Sequence, residues 1–463
     1  MSRILYSFVV DRGSKFAYQA WHLAHSLVTH CGALPSDIHI QCTPTADVGA
    51  RQLFDAAGFR THTLTPFGDK KYCNKLAQIE NLPCDEALAV VLLDTDTIAV
   101  GDLRTWISGN TIRAKAVDFQ NPPLDTLREI ASLAELEPGD ICTTDAGEAD
   151  TFVGNCNGGM YAIPGYLARR LSAEWKRWAN WLLAHPEPLR RVNREIHVDQ
   201  VSFWLALRAT GLPFELAPSN ANYFTHVTAD RRYMEHDCPI ALLHYHDKLN
   251  VLGKLDALAG FGAEAESAIA RANAQIGANF NNRLFWEFRY DHFPERGSGV
   301  GSRGDNLIYK RDLLRANGIE DAASVLDIGC GDLEVIKPLS LRGYTGVDMS
   351  PLAIQRGKEI FPNGIFVLGL QPEIPAADFV LCFEVLIHQH DISDYRKVIS
   401  FASERTNRTM LISGYAANND AISHNTMVFF HEALADSLAR TGKFSSITEI
   451  GYHTDVVIYR CDV

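Results

Sequence analysis

"ALAVVLLDTDTIAV", Ala87 to Val100, is the stretch that decides the fold. An uncharged run from Ala87 to Leu93 ends on Asp94 and Asp96, and the chain turns apolar again at once. Such a run reads as a strand buried on both faces, the kind found inside a parallel sheet. Carboxylates at i and i+2 share one face of a regular strand. At a strand's end, where the chain turns, they can converge on one ion. Open α/β sheets bind ligands at the carboxyl ends of their strands. Two acids in that place suit a hard divalent cation, Mn²⁺ or Mg²⁺, bridging to a diphosphate.

Outward from this strand, the first half alternates strands and helices. "RILYSFVV" reads as a strand, "KFAYQAWHLAHSLVTHCG" as a helix closing on Gly32, "DIHIQCT" as a strand and "ARQLFDAAGF" as a helix. That alternation predicts a parallel sheet flanked by helices. Trp175, Trp178 and Trp181, three apart, read as the buried face of an amphipathic helix. The Ala-rich stretch after residue 258 predicts a helical connector. The second half then restarts as another α/β series. Its strands are "SVLDIG", "YTGVDM", "GIFVLG", "ADFVLCFEV", "RTMLISGY", "FSSITEIGY" and "TDVVIYRC", with helices expected between the first five and a closing antiparallel pair.

With 463 residues, 46% hydrophobic and 21% charged, each half can bury its own core. A formal net charge of −13 argues against a nucleic-acid partner, which needs a basic face. The ten cysteines form no CxxC pair, so reduced thiols in a cytoplasmic protein are expected. The N-terminus lacks a signal-peptide pattern, and no apolar run is long enough to span a bilayer, which leaves at most peripheral membrane contact. The sequence assigns no oligomeric state.

Five pieces stand in order in the first half: "KKYCNKLAQIENL", "DTDT", "GNCNGGMYAIP", "HVDQVSFWLAL" and "LLHYHD". Together they resemble the metal-dependent nucleotide-sugar glycosyltransferases of the GT-A fold, over roughly residues 1–250. The resemblance implies that Asp94 and Asp96 contact metal and diphosphate, with His244 or its neighbour His246 as third ligand. It implies Lys75 at the nucleotide or its phosphates, Asn157 and Gly158 at the sugar, and Asp199 or Gln200 near the reacting centre. Asp199 is the first candidate for a base on the acceptor hydroxyl, which an inverting enzyme needs and a retaining one does not. The sequence departs from the family at "HDKLN" and in the acidic insertion 121–150, read as an acceptor loop.

"SVLDIGCGDLEV" is a strand that breaks into glycines and is expected to open a helix, and "GVDMS" ends the next strand on Asp348. Gly329 and Gly331 allow close backbone approach, and an acid at the second strand's end suits a ribose. A dinucleotide site usually has a third glycine, where this chain has Glu334. "VLDIGCGD…GVDMS…ADFVLCFEVLIHQHD" resembles class I S-adenosylmethionine-dependent methyltransferases. That implies Asp327, Gly329 and Gly331 at the methionine part of the cofactor, Asp348 on the ribose, Met349 on adenine and Glu384 beside the sulfonium. Arg303 is read as a contact to the cofactor carboxylate or to an acidic acceptor. His388, just past the fourth strand, is the first candidate base for an acceptor hydroxyl, with His390, Asp391 and His431 as rivals.

The expectation is an α/β chain: a GT-A domain over 1–258, a connector over 259–280 and a Rossmann-like methyltransferase domain over 281–463. It would transfer a sugar from a nucleotide-sugar donor and O-methylate a glycan or glycolipid acceptor, as in bacterial surface-polysaccharide synthesis, in the cytoplasm or at the membrane's inner face. Two alternatives stay open. The first domain could only bind glycan, or the methyl acceptor could be other than a sugar.

Overall fold

A computed structural model describes residues 3–227, 231–257, 259–416, 427–453 and 455–463. The chain divides into two compact units, Met1–Leu249 with Leu255–Gln275, and Asn250–Lys254 with Ile276–Val463.

The first unit has β1 (Ile4–Val10), β2 (Ile38–Cys42), β3 (Arg60–Thr63), β4 (Ala89–Leu93), β5 (Thr97–Ala99), β6 (Ile112–Ala116), β7 (Ile141–Thr143), β8 (Asp150–Phe152), β9 (Cys156–Pro164), β10 (Phe214–Leu216), β11 (Tyr223–Phe224) and β12 (Leu242–His244). Seven of these form one sheet in the order β10-β6-β9-β4-β1-β2-β3. Its neighbours are parallel except where β9 runs antiparallel to β4 and β6. Every residue of β4 and β9 is buried, as the uncharged run before Asp94 predicts. The expected single strand over 87–100 is in fact two. The chain turns at Asp94–Asp96, and β5 leaves the large sheet to pair antiparallel with β12 in a second sheet of order β11-β12-β5.

Helix Ser14–Cys31 ends as expected, on Gly32 in the left-handed conformation. Trp175 and Trp178 are buried on helix Gly165–Ala184, and Trp181 packs part-buried against the same core. The acidic insertion 121–150 is not a loop. It folds as helix Leu124–Leu133 and the hairpin β7–β8, because Leu127 and Ile130 on one helix face reach the core. The connector is likewise structured. Helix Ala263–Ala278 buries Ala265, Ala268, Ile269 and Ala272, and Arg271 and Gln275 bond to Val100 O and Thr29 Oγ1 of the first unit.

The second unit has β13 (Val325–Ile328), β14 (Tyr344–Asp348), β15 (Ile365–Leu368), β16 (Ala377–Cys382), β17 (Thr406–Gly414), β18 (Ser446–His453) and β19 (Val456–Asp462). The sheet order is β15-β14-β13-β16-β17-β19-β18. β13 to β17 run parallel, while β19 is antiparallel to β17 and β18 antiparallel to β19. This is the closing pair that the sequence predicts. Helices Pro351–Ile360 and Ile392–Glu404 fill two of the four expected places. The helix expected after the glycines of β13 is absent, as is one between β15 and β16. After Gly331, Leu333 takes a left-handed φ of 61° and Pro338 follows too soon for a helix to propagate. Pro372 and Pro375 break the other connection in the same way.

Candidate functional sites

In the first unit, register builds the site. Thr97 pairs with His244 across β5 and β12, and Leu93 pairs with Met160 across β4 and β9. The first pairing sets His244 beside the acid turn, and the second sets Asn157, Gly158 and Gly159 there. One ligand atom each from Asp94, Asp96 and His244 lies within 4.8 Å of the others. His244 Nε2 is 3.4 Å from Asp96 Oδ1. The other nitrogen, Nδ1, is 3.1 Å from Asn222 Oδ1, and the Asn222 amide donates to Asn157 Oδ1 at 3.1 Å. With its amide so oriented, Asn222 accepts from Nδ1–H, which leaves the Nε2 lone pair facing the acids. Burial lowers the His244 pKa to about 3, so the ring is neutral, as a ligand must be. The donor set therefore fits a divalent cation: two carboxylates and an oriented neutral imidazole.

His246 does not join this cluster. Its ring stacks on that of His244, and its Nδ1 lies 3.0 Å from His226, whose Nε2 meets Asp118 at 2.9 Å. Lys75 is buried on the 3₁₀ helix Tyr72–Asn81, 2.5 Å from Asp94 Oδ1, and donates to Gly158 O at 2.6 Å. Burial pulls its pKa down, but Asp94 and Asp199 outweigh this and the net shift is upward. A Cβ at Gly158 would lie 2.6 Å from the Lys75 ammonium, so only glycine lets the lysine reach the acids. Burial raises Asp94, and the neighbouring Asp96 adds to it against the pull of Lys75 and His244. Asp96 is raised too, by burial first and then by Asp247.

Asp199 opens helix Val198–Thr210, and Trp175 Nε1 donates to its backbone carbonyl at 2.7 Å. Burial raises its carboxyl pKa to about 7. Its Oδ2 is 3.9 Å from Lys75 Nζ, while Oδ1 is buried with no hydrogen-bond partner. A buried unpaired oxygen is costly, and a hydroxyl brought to it would find an acceptor already in place. Gln200, next in the helix, engages His197 instead. Sequence reading missed Asn222. An asparagine outside the quoted motifs carries no signal of its own, and only the pairing of β11 with β12 sets it behind His244.

In the second unit, Asp348 is buried at the end of β14. Its Oδ2 accepts from Gly331 N at 2.9 Å and its Oδ1 from Ser350 N at 2.9 Å. Burial raises its pKa to about 6, against these two bonds. Asp327 accepts from Tyr344 OH at 2.8 Å, and burial raises it to about 7. Gly329 and Gly331 have φ of 74° and 55°. A Cβ there would run into Val385 and Ser298, so these glycines serve the chain's own packing as well as any ligand. Met349 and Leu370, each 37% exposed, leave apolar side chains just beyond β14 and β15. Apolar side chains beside a backbone-fixed acid fit a nucleoside.

Arg303 turns to Asp332, 2.5 Å away, and Ser298 donates to the same carboxylate through its N–H and Oγ. Thus the Gly/Ser-rich segment closes on the turn after β13, with the arginine already paired. His388 Nδ1 meets Met427 O, and its ring packs edge-on to Trp286. A carbonyl only accepts, so Nδ1 carries the proton and Nε2 keeps its lone pair. Burial lowers the His388 pKa, which keeps the ring neutral. Glu384 adopts φ 58° just past β16, with its N–H donating to Ser413 Oγ at 2.7 Å. Lys310, buried and unremarked in the sequence, pairs with its Oε2 at 2.8 Å.

No family model matches the chain, and no curated protein matches it. Solved structures similar to it include the galactosyltransferase LgtC in complex with donor and acceptor sugar analogs. That alignment spans 58% of this chain and 95% of the other at 15% identity, with a TM-score of 0.37. The N-methyltransferase NodS from Bradyrhizobium japonicum WM9, in complex with S-adenosyl-L-homocysteine, aligns over 35% of this chain and 90% of its own at 16% identity, TM-score 0.29. Magnesium protoporphyrin IX methyltransferase from Synechocystis PCC 6803, with bound SAH, aligns over 34% and 81% at 17% identity, TM-score 0.28. Strand order assigns the architecture: the chain joins a mixed α/β unit whose acid turn links two sheets to a Rossmann-like α/β unit with an antiparallel closing pair.

Proposed function

We propose that the chain is a bifunctional transferase, a metal-dependent glycosyltransferase joined to an S-adenosylmethionine-dependent O-methyltransferase. The observation that carries the first half is the Asp94–Asp96–His244 cluster with His244 held by Asn222. Asp94, Asp96 and His244 would hold Mn²⁺ or Mg²⁺, which as a Lewis acid offsets charge on a leaving diphosphate. Lys75 adds a second fixed positive charge beside Asp94. Asn157 and Gly158 line the same recess, where a donor sugar would lie. Asp199, with a pKa near neutrality and one unsatisfied oxygen, is suited to bind or deprotonate a hydroxyl.

In the second unit, Asp348 would hold the ribose of S-adenosylmethionine and Met349 would cover the adenine. Asp327, Gly329 and Gly331 would frame the methionine part, with Arg303 near it through Asp332. The cofactor supplies an electrophilic methyl group on a sulfonium. His388, neutral and with Nε2 free of its backbone bond, would take the acceptor proton. A glycan or glycolipid hydroxyl is the acceptor that both halves would share, and holding the two steps on one chain raises their effective concentration. Such a role places the protein in the cytoplasm or at the inner membrane face. Among the described residues no helix is long and apolar enough to cross a membrane.

The test is a product assay with a panel of nucleotide sugars, Mn²⁺ and methyl-labelled S-adenosylmethionine on glycan acceptors. Metal-dependent release of one nucleoside diphosphate, together with label on the glycan, supports the proposal. Label on glycan without any sugar transfer would leave the first unit as a glycan-binding dock, and label on protein alone would reject the sugar acceptor.

A further inference from the structure

Glu384 is held more tightly than a cofactor contact requires. Its backbone occupies a left-handed conformation that is costly for a non-glycine residue, and such strain persists where the surroundings fix it. Ser413 fixes its N–H. Its carboxylate is bracketed on three sides. Lys310 Nζ, 1% exposed on helix Gly304–Ala316, lies 2.8 Å from Oε2. His453 Nε2, from β18, lies 3.3 Å from Oε1. Gly301 packs so close that any Cβ there would strike both oxygens. Burial lowers the pKa of both Lys310 and His453 while Glu384 pulls each the other way, so the histidine is neutral and the carboxylate offsets the ammonium. One negative and one positive charge are thus fixed at the carboxyl end of the central strands, and they cancel.

On the methyltransferase reading Glu384 lies beside the sulfonium, and methyl transfer changes the charge there. The S–CH₃ bond breaks with its electron pair going to sulfur, the O–CH₃ bond forms, and the hydroxyl proton leaves to a base. The cationic sulfonium becomes an uncharged thioether. An uncompensated Glu384 would favour the cation and discriminate against the product. We propose that the Lys310–Glu384 pair sets how far this unit distinguishes S-adenosylmethionine from S-adenosylhomocysteine, Lys310 tempering the attraction that Glu384 exerts on the sulfonium. This rests on the methyltransferase reading of the second unit. Lys310 is then a positioning and charge-balancing residue, not a group that reacts.

Calorimetry of the full chain with each of the two nucleosides tests it through the ratio of their dissociation constants. Glu384→Gln leaves a net positive charge and should lower the preference for S-adenosylmethionine about tenfold or more. Lys310→Met leaves a net negative charge and should raise it by a similar factor. The double variant Lys310→Met/Glu384→Gln removes both charges and should return close to the wild-type ratio. It also avoids an unpaired buried charge, so it keeps the test readable if a single variant folds poorly. Equal losses for both nucleosides in every variant would overturn the inference and leave the methyltransferase reading intact. A wild type that binds neither nucleoside would overturn both.

Discussion

The two units handle buried carboxylates in opposite ways. In the second, Asp348 and Asp327 are satisfied by the protein itself: backbone N–H groups of Gly331 and Ser350 for one, the Tyr344 hydroxyl for the other. In the first, Asp94, Asp96 and Asp199 crowd one recess with a single ammonium, and Asp199 keeps one oxygen unpaired. Acids satisfied by the chain itself shape a cradle suited to uncharged hydroxyls. Acids left short of partners store a demand for positive charge, which a divalent cation answers. The same residue type thus meets two environments, according to what the chain around it supplies.

The comparison breaks most visibly if the first set of acids is removed. Asp94→Ala/Asp96→Ala should abolish metal-dependent nucleotide binding, a loss beyond about 100-fold, the upper range for losing an outer partner. It should leave S-adenosylmethionine binding unchanged, and calorimetry with each ligand reads both. In the second unit burial of the acids appears instead as a pH dependence. Asp327, raised to about 7, holds a proton in the folded state that the unfolded chain releases above about pH 4. The folded state binds more protons across that window, so stability falls as pH rises from about 4 to about 7, by at most a few kcal/mol for this group. Hydrogen exchange of β13 and β14 amides across that range should show the slope, and Asp327→Asn should flatten it.

Smaller effects sharpen the contrast. Asn222→Leu leaves all three candidate ligands in place but removes the partner of His244 Nδ1, and should weaken metal affinity about tenfold. An unchanged affinity would mean that Asn222 does not orient the ring. Trp175→Phe removes one neutral hydrogen bond to Asp199 O and should cost about 1 kcal/mol of stability in urea unfolding. Metal binding should not move.

Much of this was legible in the sequence, for physical reasons. A run such as Ala87–Leu93, apolar throughout and of strand length, reads as a strand buried on both faces. The glycine turn after Ile328 and the acid at Asp348 both stand at the carboxyl ends of strands in the parallel part of the sheet, where ligands bind. What the sequence hid depends on pairing or on local breakers. The resemblance points to His244, but the pairing of β5 with β12 that sets it beside Asp94 and Asp96 is a register no one-dimensional pattern specifies. The missing helix after Gly331 turns on Leu333 and Pro338, which weigh against an otherwise helical-looking "LEVIK". The insertion 121–150 looked acidic and loose, yet Leu127 and Ile130 on one helix face reach the core and anchor it. Lys310 lies in a run that reads as an ordinary solvated helix, and only the fold takes it inside.

The most direct test of the central claim is calorimetric titration of the full chain with a panel of nucleoside diphosphates, with and without Mn²⁺, in wild type and Asp94→Ala/Asp96→Ala. The account predicts that at least one nucleotide binds only when the metal is present, and that the double substitution abolishes this binding. Binding of no nucleotide under any condition, or binding indifferent to both the metal and the two acids, would contradict it.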